Sequence, residues 1–337
     1  MTTSNYSAPP DTDVASAGAQ FMTGSIDLRG VGKKFSGGHR ALHDVTAHLP
    51  GGRIYGLIGR NGAGKTTLLR AIAGQLRVEG DVTIDGQLVI DNRAVLDRLI
   101  LSGPDAAWPT DVKVNALLAM GAARWETWNR DLAARYVKEY DLDVKKSLGT
   151  MSRGQKSLVS IVMGLAAQCP ITLLDEPYLG LDVQNREMFY RHLLEDVERN
   201  PRTIILSTHH IEDASKILED VIFIDRGRIT GVDALERVTE RIAVLTGSEA
   251  AVSDQLAALN AQEALLSETT MGGQRRVFVD IRALGRGNPH AVPMDSARMD
   301  NLLAGTGVRM THPDLEQAVM ALTGRDLGVN DSGHSNT

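Results

Sequence analysis

Cysteine and long apolar runs are scarce in this sequence. Its 337 residues include one cysteine, Cys169, so no intramolecular disulfide can form, and this usage indicates a reducing compartment. Cys169 follows an apolar helical run, which favours a small buried side chain over a reactive thiol. The longest apolar stretch, residues 158–167, is about half of the roughly 20 residues that a spanning helix needs. We therefore expect no membrane span.

Concentrated positive charge is also missing. The net charge is −6, from 36 basic and 42 acidic residues, and no run of Lys and Arg stands out. A protein that wraps phosphate backbones usually carries a basic patch, so we expect no nucleic-acid partner. The first residues lack both a basic start and an apolar central region, which argues against a signal peptide. Residues 1–23 and 326–337 are predicted to be disordered tails.

The chain is too long for one ordinary core. Hydrophobic residues make up 42% and charged residues 23%, close to the globular average, so most of the chain is expected to fold. With about 100–200 residues per domain, the length predicts a main domain, which we place at 24–232, and a C-terminal accessory domain at 233–325. The accessory domain is predicted to be a small α+β unit with a strand at 275–281 and a helix that starts on Pro313.

The main domain has the pattern of an α/β fold. Short alternating patterns closed by turns at residues 50–52 and 85–86 predict an antiparallel β-subdomain. Residues 92–167 have a helical pattern, and strand signals disappear there, which indicates an inserted helical subdomain. Strands return at 171–177, 202–210 and 220–229 with helices between them, a pattern typical of a largely parallel, covered sheet.

The stretch GRNGAGKTT has the spacing G-x-x-x-x-G-K-[ST] of a P-loop. A buried strand precedes it and a helix follows, which is the order that a phosphate cradle needs. In such a loop backbone N–H groups surround phosphate oxygens, Lys65 carries a point charge to the β- and γ-phosphates, and the Thr66 hydroxyl binds Mg²⁺. The nucleotide-binding candidates here are Gly59, Asn61, Gly62, Ala63, Gly64, Lys65, Thr66 and Thr67.

A second acidic motif, ITLLDEP, places two carboxylates at the end of a buried strand. Asp175 is positioned to hold Mg²⁺ against the loop, as Walker-B aspartates do. Glu176 follows immediately and points to a different side, where it could orient and polarise the attacking water. Alone, an Asp-Glu pair at a strand end is usually a solvated turn. With the P-loop present, the catalytic interpretation is favoured.

The stretch MSRGQKS opens a helix shortly before Asp175. Ser152 and the N–H groups that follow it are expected to form a helix N-terminus, which would be an anion site with no anion of its own chain nearby. With LDEP, LGLD and STHH further along, the sequence from about Ser25 to Val232 resembles the nucleotide-binding subunit of an ATP-binding cassette (ABC) transporter. The family signature Leu-Ser-Gly-Gly-Gln is matched by Met151, Ser152, Arg153, Gly154 and Gln155.

The resemblance implies functions for several residues. Ser152, Gly154 and Gln155 of one subunit would close on the γ-phosphate held by Lys65 of a second subunit, so ATP would join a head-to-tail dimer. His209 corresponds to the switch histidine that contacts the γ-phosphate, and Asp182 to the loop that joins the two sites. Phe35 falls where the family places an aromatic ring against adenine, although packing within the β-subdomain is equally plausible.

Two positions depart from the family pattern. Arg153 replaces the first signature glycine, so a charged side chain stands where the backbone would approach nucleotide. The family's glutamine between the core and helical subdomains has no clear match, and Asp105 is the nearest equivalent. A carboxylate there could reach Mg²⁺ directly or through water, which makes Asp105 a third candidate metal ligand beside Thr66 and Asp175.

These patterns predict an ATPase that uses ATP and Mg²⁺, closes as a homodimer or as a heterodimer with a related subunit, and drives separate transmembrane permease subunits. We expect it to be cytoplasmic and peripheral on the cytoplasmic face of the membrane. The C-terminal stretch HPDLEQAVMALTG resembles the end of bacterial exporter ATPases, which favours export. The alternative is a soluble, non-transport ABC ATPase that acts as a mechanical clamp or regulator.

Overall fold

The structure, a computed structural model, describes residues 24–106, 108–208, 211–284 and 296–323. Both predicted tails and His209 lie outside these residues. The strands are β1 Ile26–Lys34, β2 Arg40–Leu49, β3 Ile54–Ile58, β4 Glu79–Ile84, β5 Gln87–Leu88, β6 Leu99–Ser102, β7 Ile171–Asp175, β8 Thr203–Thr208, β9 Asp220–Asp225, β10 Arg228–Ala234, β11 Ile242–Ser248, β12 Leu265–Met271, β13 Gln274–Asp280 and β14 Arg309–Thr311. The helices are α1 Lys65–Ile72, α2 Arg93–Leu96, α3 Val114–Arg124, α4 Arg130–Glu139, α5 Arg153–Ala166, α6 Val183–Arg199, α7 Ile211–Ala214, α8 Glu249–Ala258, α9 Ser296–Leu303 and α10 Leu315–Leu322.

An antiparallel sheet packs beside the central one. Its strands lie in the order β2-β1-β4-β5. The turn between β4 and β5 is formed by Asp85 and Gly86, with φ angles of 48° and 76°. Two successive positive φ angles belong to a type I′ hairpin turn, which is why Asp-Gly suits this place. The predicted antiparallel β-subdomain is thus confirmed.

The central sheet has six strands in the order β10-β9-β3-β8-β7-β6. All neighbouring strands from β9 to β6 run parallel, and only β10 runs antiparallel to its neighbour β9. The predicted largely parallel sheet is confirmed. Strands β3 and β8 are fully buried, since helices cover the parallel strands on their faces. Because the strands are parallel, the loops after β3, β6, β7 and β8 emerge at one edge of the sheet.

The prediction that strand signals disappear across residues 92–167 is wrong at one place. Residues Leu99–Ser102 form β6, which pairs in parallel with β7 from Leu99 opposite Ile171 to Ser102 opposite Leu174. The strand is short and almost entirely apolar. Periodicity cannot distinguish such a run from a buried helical segment. The consequence is functional, because residues 103–106 then lie at the same sheet edge as the P-loop.

A third sheet follows the central one in the chain, in the strand order β12-β13-β11-β14. Helix α8 packs against β11 and β13 on one side. On the other side α10 packs against α7, and its Ala318 and Val319 share an apolar cluster with Ile211 and Ala214 of that helix. Helix α10 begins at Leu315 with Asp314 as its N-cap, two residues after the predicted start at Pro313. The α+β composition of this region is confirmed.

Buried charges connect the third sheet to the central one. Arg241, which is 6% exposed, lies just before β11. Its Nη1 atom is 2.6 Å from Asp233 Oδ2 on β10, and its Nη2 atom is 2.7 Å from Asp280 Oδ2 on β13. Arg282 adds a second cation to Asp233. Two guanidinium groups face two carboxylates, so the buried charges are balanced.

We predict that Arg241→Met leaves Asp280 buried without its cation and lowers the free energy of unfolding by about 3–5 kcal/mol. Urea denaturation at neutral pH measures the loss. The control is Arg77→Met, which removes an exposed guanidinium paired with Asp91 at 2.9 Å and should cost less than about 1 kcal/mol. Equal losses in the two variants would show that the buried network does not stabilise the junction.

Candidate nucleotide-binding site

The P-loop connects the end of β3 to the start of α1. Its last residue, Gly64, has a φ of 108°, and a Cβ atom there would lie 2.8 Å from the carbonyl oxygen of Ala41. Any side chain would therefore be both strained and crowded. Gly64 is also the N-cap of α1 and offers no side chain to cap the helix. The first N–H groups of α1 are thus available to an anion at the positive end of the helix.

Lys65 is folded back onto the loop. Its side chain is 7% exposed, and Nζ donates to the carbonyl oxygen of Gly59 at 2.9 Å and approaches that of Arg60 at 3.4 Å. The same Nζ lies 3.5 Å from Glu176 Oε1. These oxygens satisfy the ammonium group inside the site. A phosphate entering the loop would offer stronger, charge-assisted acceptors to the same group.

Asp175 and Glu176 are positioned by a hydroxyl group on the neighbouring strand. Ser207 on β8 lies opposite Asp175 on β7, and its Oγ donates to Asp175 Oδ1 at 2.7 Å. The N–H of Glu176 donates to the same Oγ at 2.8 Å. Glu176 has a φ of 48°, in the left-handed region that non-glycine residues seldom occupy. Ser207, which is fully buried, thus fixes the carboxylate of one residue and the backbone of the next.

Sequence reasoning missed Ser207 as a functional residue. Ser207 belongs to the stretch STHH, in which the family resemblance implies a function for His209 alone. The available signal was topological: Ser207 lies near the end of the strand that precedes His209, as Asp175 does in its own strand. Parallel neighbours place such positions side by side. Without knowledge that β7 and β8 are adjacent, that signal could not be used.

Two cavities contain most of the predicted site residues. The larger, of about 640 Å³, is lined among others by Asn61, Thr66, Asp175, Glu176 and Asp105. The smaller, of about 270 Å³, is lined by residues of the loop and α1 start, namely Gly62, Gly64, Lys65, Thr66 and Thr67, and by Phe35. The cavities share Asn61, Thr66 and Glu176. The P-loop, the carboxylates and the aromatic ring are therefore contiguous.

Phe35 and Ala63 differ in their surroundings. Phe35 is 40% exposed, so its side chain can be reached from solvent, and Lys33 Nζ lies over the ring at 5.5 Å from its centroid. Ala63 is buried, its N–H donates to the carbonyl of Arg60 at 3.0 Å, and its own carbonyl accepts from Gly227 at 2.8 Å. Ala63 thus holds the shape of the loop, while Phe35 offers a surface.

Thr66 and Asp175 suit Mg²⁺, because hydroxyl and carboxylate oxygens are the ligands this ion prefers and both line the larger cavity. Among the described residues, no group of three or more His, Cys, Asp and Glu could hold a metal by itself. A Mg²⁺ ion held by Thr66 and Asp175 would take its other ligands from substrate phosphates and water. The carboxylate of Asp105 contacts Arg153 instead, with 2.6 Å between Oδ2 and Nη2. Its metal-binding function stays a prediction.

The signature stretch forms the start of helix α5. Ser152 Oγ accepts from the N–H of Gln155 at 3.2 Å, and Gln155 Oε1 accepts from the N–H of Ser152 at 3.1 Å, which completes a capping box. A Cβ atom on Gly154 would lie 2.4 Å from the carbonyl oxygen of Gly180. The helix tip therefore packs backbone against backbone on the loop that leads to Asp182. Asp182 in turn caps α6, accepting from Asn185 N–H at 2.8 Å.

His209 lies outside the described residues, so its predicted contact with a γ-phosphate stays a prediction. Strand β8 extends to Thr208 before it, and helix α7 begins at Ile211 after it. Within the described ranges, no helix combines the length and the low polarity that a bilayer crossing requires.

This geometry defines a P-loop nucleotide site on a parallel sheet, and comparison with known proteins identifies its family. The family model described as "ABC transporter" matches residues 42–179. NatA, an ABC transporter ATP-binding protein of Bacillus subtilis, is 31% identical over 60% of this chain and 85% of NatA. The aliphatic sulfonates import ATP-binding protein SsuB of Rhodopseudomonas palustris is 29% identical over 61% of this chain and 72% of SsuB.

A solved structure of a cobalt transport ATP-binding protein matches the fold with a TM-score of 0.57 at 26% identity, covering 76% of this chain and 92% of that chain. The chain therefore belongs to the ABC transporter family as an ATP-binding subunit, and its enzymatic activity is ATP hydrolysis. The resemblance that the motifs indicated is thus confirmed.

We predict that Ser207→Ala slows ATP turnover about tenfold or more, because losing one donor to the Asp175 carboxylate leaves it and Glu176 misplaced. Nucleotide binding through the P-loop should change little. Steady-state turnover and binding of a fluorescent ATP analogue measure the two effects. The control is Thr172→Ala, which removes a buried hydroxyl at the far end of β7, where Thr172 accepts from Arg202 at 3.1 Å. Equal turnover losses in both variants would assign the effect to general destabilisation.

Proposed function

We propose that this subunit works as a dimer that closes around two Mg·ATP and reopens after hydrolysis, and that this cycle drives separate membrane subunits. The observation that carries the proposal is the exposed N-terminus of α5. Most of the helix is buried, yet Ser152 and Arg153 at its start are exposed. The capping box uses the N–H groups of Ser152 and Gln155, and those of Arg153 and Gly154, at the positive end of the helix dipole, are left for a phosphate from a second subunit.

Each candidate residue has a distinct function in this cycle. The N–H groups of residues 59–64 and the ammonium of Lys65 hold the phosphates, and the exposed ring of Phe35 stacks on adenine. Thr66 and Asp175 supply oxygens to Mg²⁺, which neutralises phosphate charge when bound. Glu176 orients water for attack on the γ-phosphorus, which yields ADP and inorganic phosphate. His209 contacts the γ-phosphate in the same proposal.

Gly154 and Gln155 contribute to the second half of each nucleotide site. The close contact of Gly154 with Gly180 supports a coupling between the signature helix and the loop before Asp182. In this proposal Asp182 lies on the loop that joins the two nucleotide sites. A conformational change caused by hydrolysis at one site could therefore reach the other site. The dimer consists of two copies of this chain or of one copy with a related ATPase subunit.

We predict that Glu176→Gln forms a stable dimer with Mg·ATP and turns over less than about one hundredth as fast as the unchanged chain, because water is no longer activated. Size-exclusion chromatography with light scattering and a phosphate-release assay measure the two effects. Adding Lys65→Ala to this variant should abolish the dimer, since the phosphates lose their cation. A variant that stays monomeric with ATP and hydrolyses normally would contradict the proposal.

The membrane partners dock, in our proposal, on the helical region. An apolar groove of about 470 Å³ lies between α1, β6 and α3, and Leu117, Met120 and Trp125 are among its lining residues. Met120 is 50% exposed and adjoins the other apolar residues of the groove, so the apolar surface is contiguous and reaches solvent. Trp108 lines both this groove and the larger nucleotide cavity. A segment of the membrane subunit bound in this groove would contact Trp108. Nucleotide binding in the neighbouring cavity could then change the position of that ring and so affect the bound segment.

We propose export as the direction of transport, on the resemblance of the C-terminal stretch to exporter ATPases. A relative named for sulfonate import matches at 29% identity, so the proposal of export rests on the C-terminal stretch and not on the comparisons. Through its membrane partners the subunit would lie on the cytoplasmic face of the membrane. Counterflow in vesicles containing the assembled transporter would measure the direction.

We predict that Met120→Glu releases this chain from its membrane partner, because docking would bury a carboxylate in the apolar groove, where the lining cation Arg124 already pairs with Asp97. Co-purification from detergent-solubilised membranes should fall about tenfold or more, while ATP binding to the purified subunit stays unchanged. The control is Met271→Glu at a methionine that is 74% exposed on β12. If the unchanged chain purifies only from soluble extract, the non-transport clamp becomes the better interpretation.

A further inference from the structure

The two positions where the sequence departs from the family pattern contact each other. Arg153 Nη2 lies 2.6 Å from Asp105 Oδ2, although 48 residues separate them in the chain. Arg153 starts helix α5, and Asp105 lies in the loop after β6. Both line the cavity that also contains Thr66, Asp175 and Glu176. The departures are therefore one structural feature rather than two.

Local electrostatics explain why Arg153 needs a partner. A cation in the first turn of a helix faces the positive end of the dipole, which is unfavourable. No acidic residue stands in the first turn of α5 to compensate. Asp105, supplied from another element, compensates for both the guanidinium and the dipole. The helix tip thus combines N–H groups and an arginine, and the carboxylate that Arg153 contacts belongs to the loop after β6.

The pair is poorly suited to a structural purpose. The side chain of Arg153 is 56% exposed and that of Asp105 is 73% exposed. Exposed ion pairs contribute little to stability, because water screens them and two long side chains lose rotamer freedom. A weak pair is also easily exchanged. A phosphate that arrives at the same helix tip offers Arg153 a more highly charged acceptor and a bidentate geometry.

We propose that Arg153 is a nucleotide-binding residue that exchanges partners: Asp105 holds its guanidinium in the free subunit, and the terminal phosphate of the nucleotide on the second subunit takes it over when the dimer closes. This inference rests on the dimeric cycle proposed above. Asp105 then competes with ATP for Arg153 and sets how much ATP the closure requires. Asp105 is in this view a positioning residue rather than a metal ligand.

The test uses the full chain with Glu176→Gln, in which closure is not reversed by hydrolysis. Dimer formation is followed by light scattering while ATP is titrated at fixed Mg²⁺. Arg153→Ala should raise the ATP concentration at half-maximal dimerisation about tenfold, because a charge-assisted phosphate contact is lost. For Arg153→Lys this ATP concentration should lie between the values for the parent and for Arg153→Ala, since an ammonium group is charged but cannot bind bidentately. Binding of a fluorescent ATP analogue to the monomer should stay unchanged in both.

Asp105→Asn gives the distinguishing result. Removing the competing carboxylate should lower the ATP concentration at half-maximal dimerisation by up to about fivefold, the upper range for an exposed pair. In the Arg153→Ala background the same substitution should have no effect. The matched controls are Arg77→Ala and Asp91→Asn, which break an exposed ion pair that lines neither nucleotide cavity and should change nothing.

Several outcomes would overturn the exchange. If Asp105→Asn weakens dimerisation as much as Arg153→Ala does, the pair is a simple tether between loop and helix. If Asp105→Asn instead raises the Mg²⁺ requirement and Arg153→Ala has no effect, Asp105 is a metal ligand. If the Glu176→Gln parent does not dimerise at any ATP concentration, the dimeric cycle itself fails, and the exchange fails with it because Arg153 has no phosphate to receive.

Discussion

The parallel pairing of the central strands is the constraint on which the site depends. Strand β3 pairs in register with β8 up to Ile58 opposite Thr208, and β7 pairs with β8 up to Asp175 opposite Ser207. Because all three strands run in the same direction, their carboxyl ends lie along one edge of the sheet. The P-loop follows β3 at this edge, and Asp175 and Ser207 lie at or near the ends of β7 and β8. Moving one strand by a single residue would turn its last side chain to the opposite face.

The sequence predicted those parts of the fold and site that short motifs encode. The P-loop, the acidic strand end and the signature all have fixed spacings, and their local structures appear as expected. The short strand β6 was missed, because four apolar residues lack a diagnostic period. The stretch DVIFIDRGRI was interpreted as one strand but forms the hairpin of β9 and β10, with Arg226 and Gly227 in the turn at φ angles of 44° and 74°. Three strands of the last sheet were also missed.

Contacts between distant residues could not be predicted from one sequence. The hydroxyl of Ser207 bridges Asp175 and Glu176 only because β7 and β8 are neighbours. The contact of Arg153 with Asp105 needs β6 to bring the loop after it towards α5. Two cations at the proposed phosphate sites, Lys65 and Arg153, lie against carboxylates of their own chain. In our proposals, nucleotide binding replaces these internal anions by phosphates.

The contact between Gly154 and Gly180 has a consequence for engineering. Because two backbones meet there with no room for a Cβ atom, the tip of α5 and the loop of residues 176–182 form a single fitted unit. A chimera that imports a signature helix from a relative would have to import that loop as well. Recombination boundaries are better placed on either side of the unit, within the buried lengths of α5 and α6, where ordinary side-chain packing can absorb small mismatches.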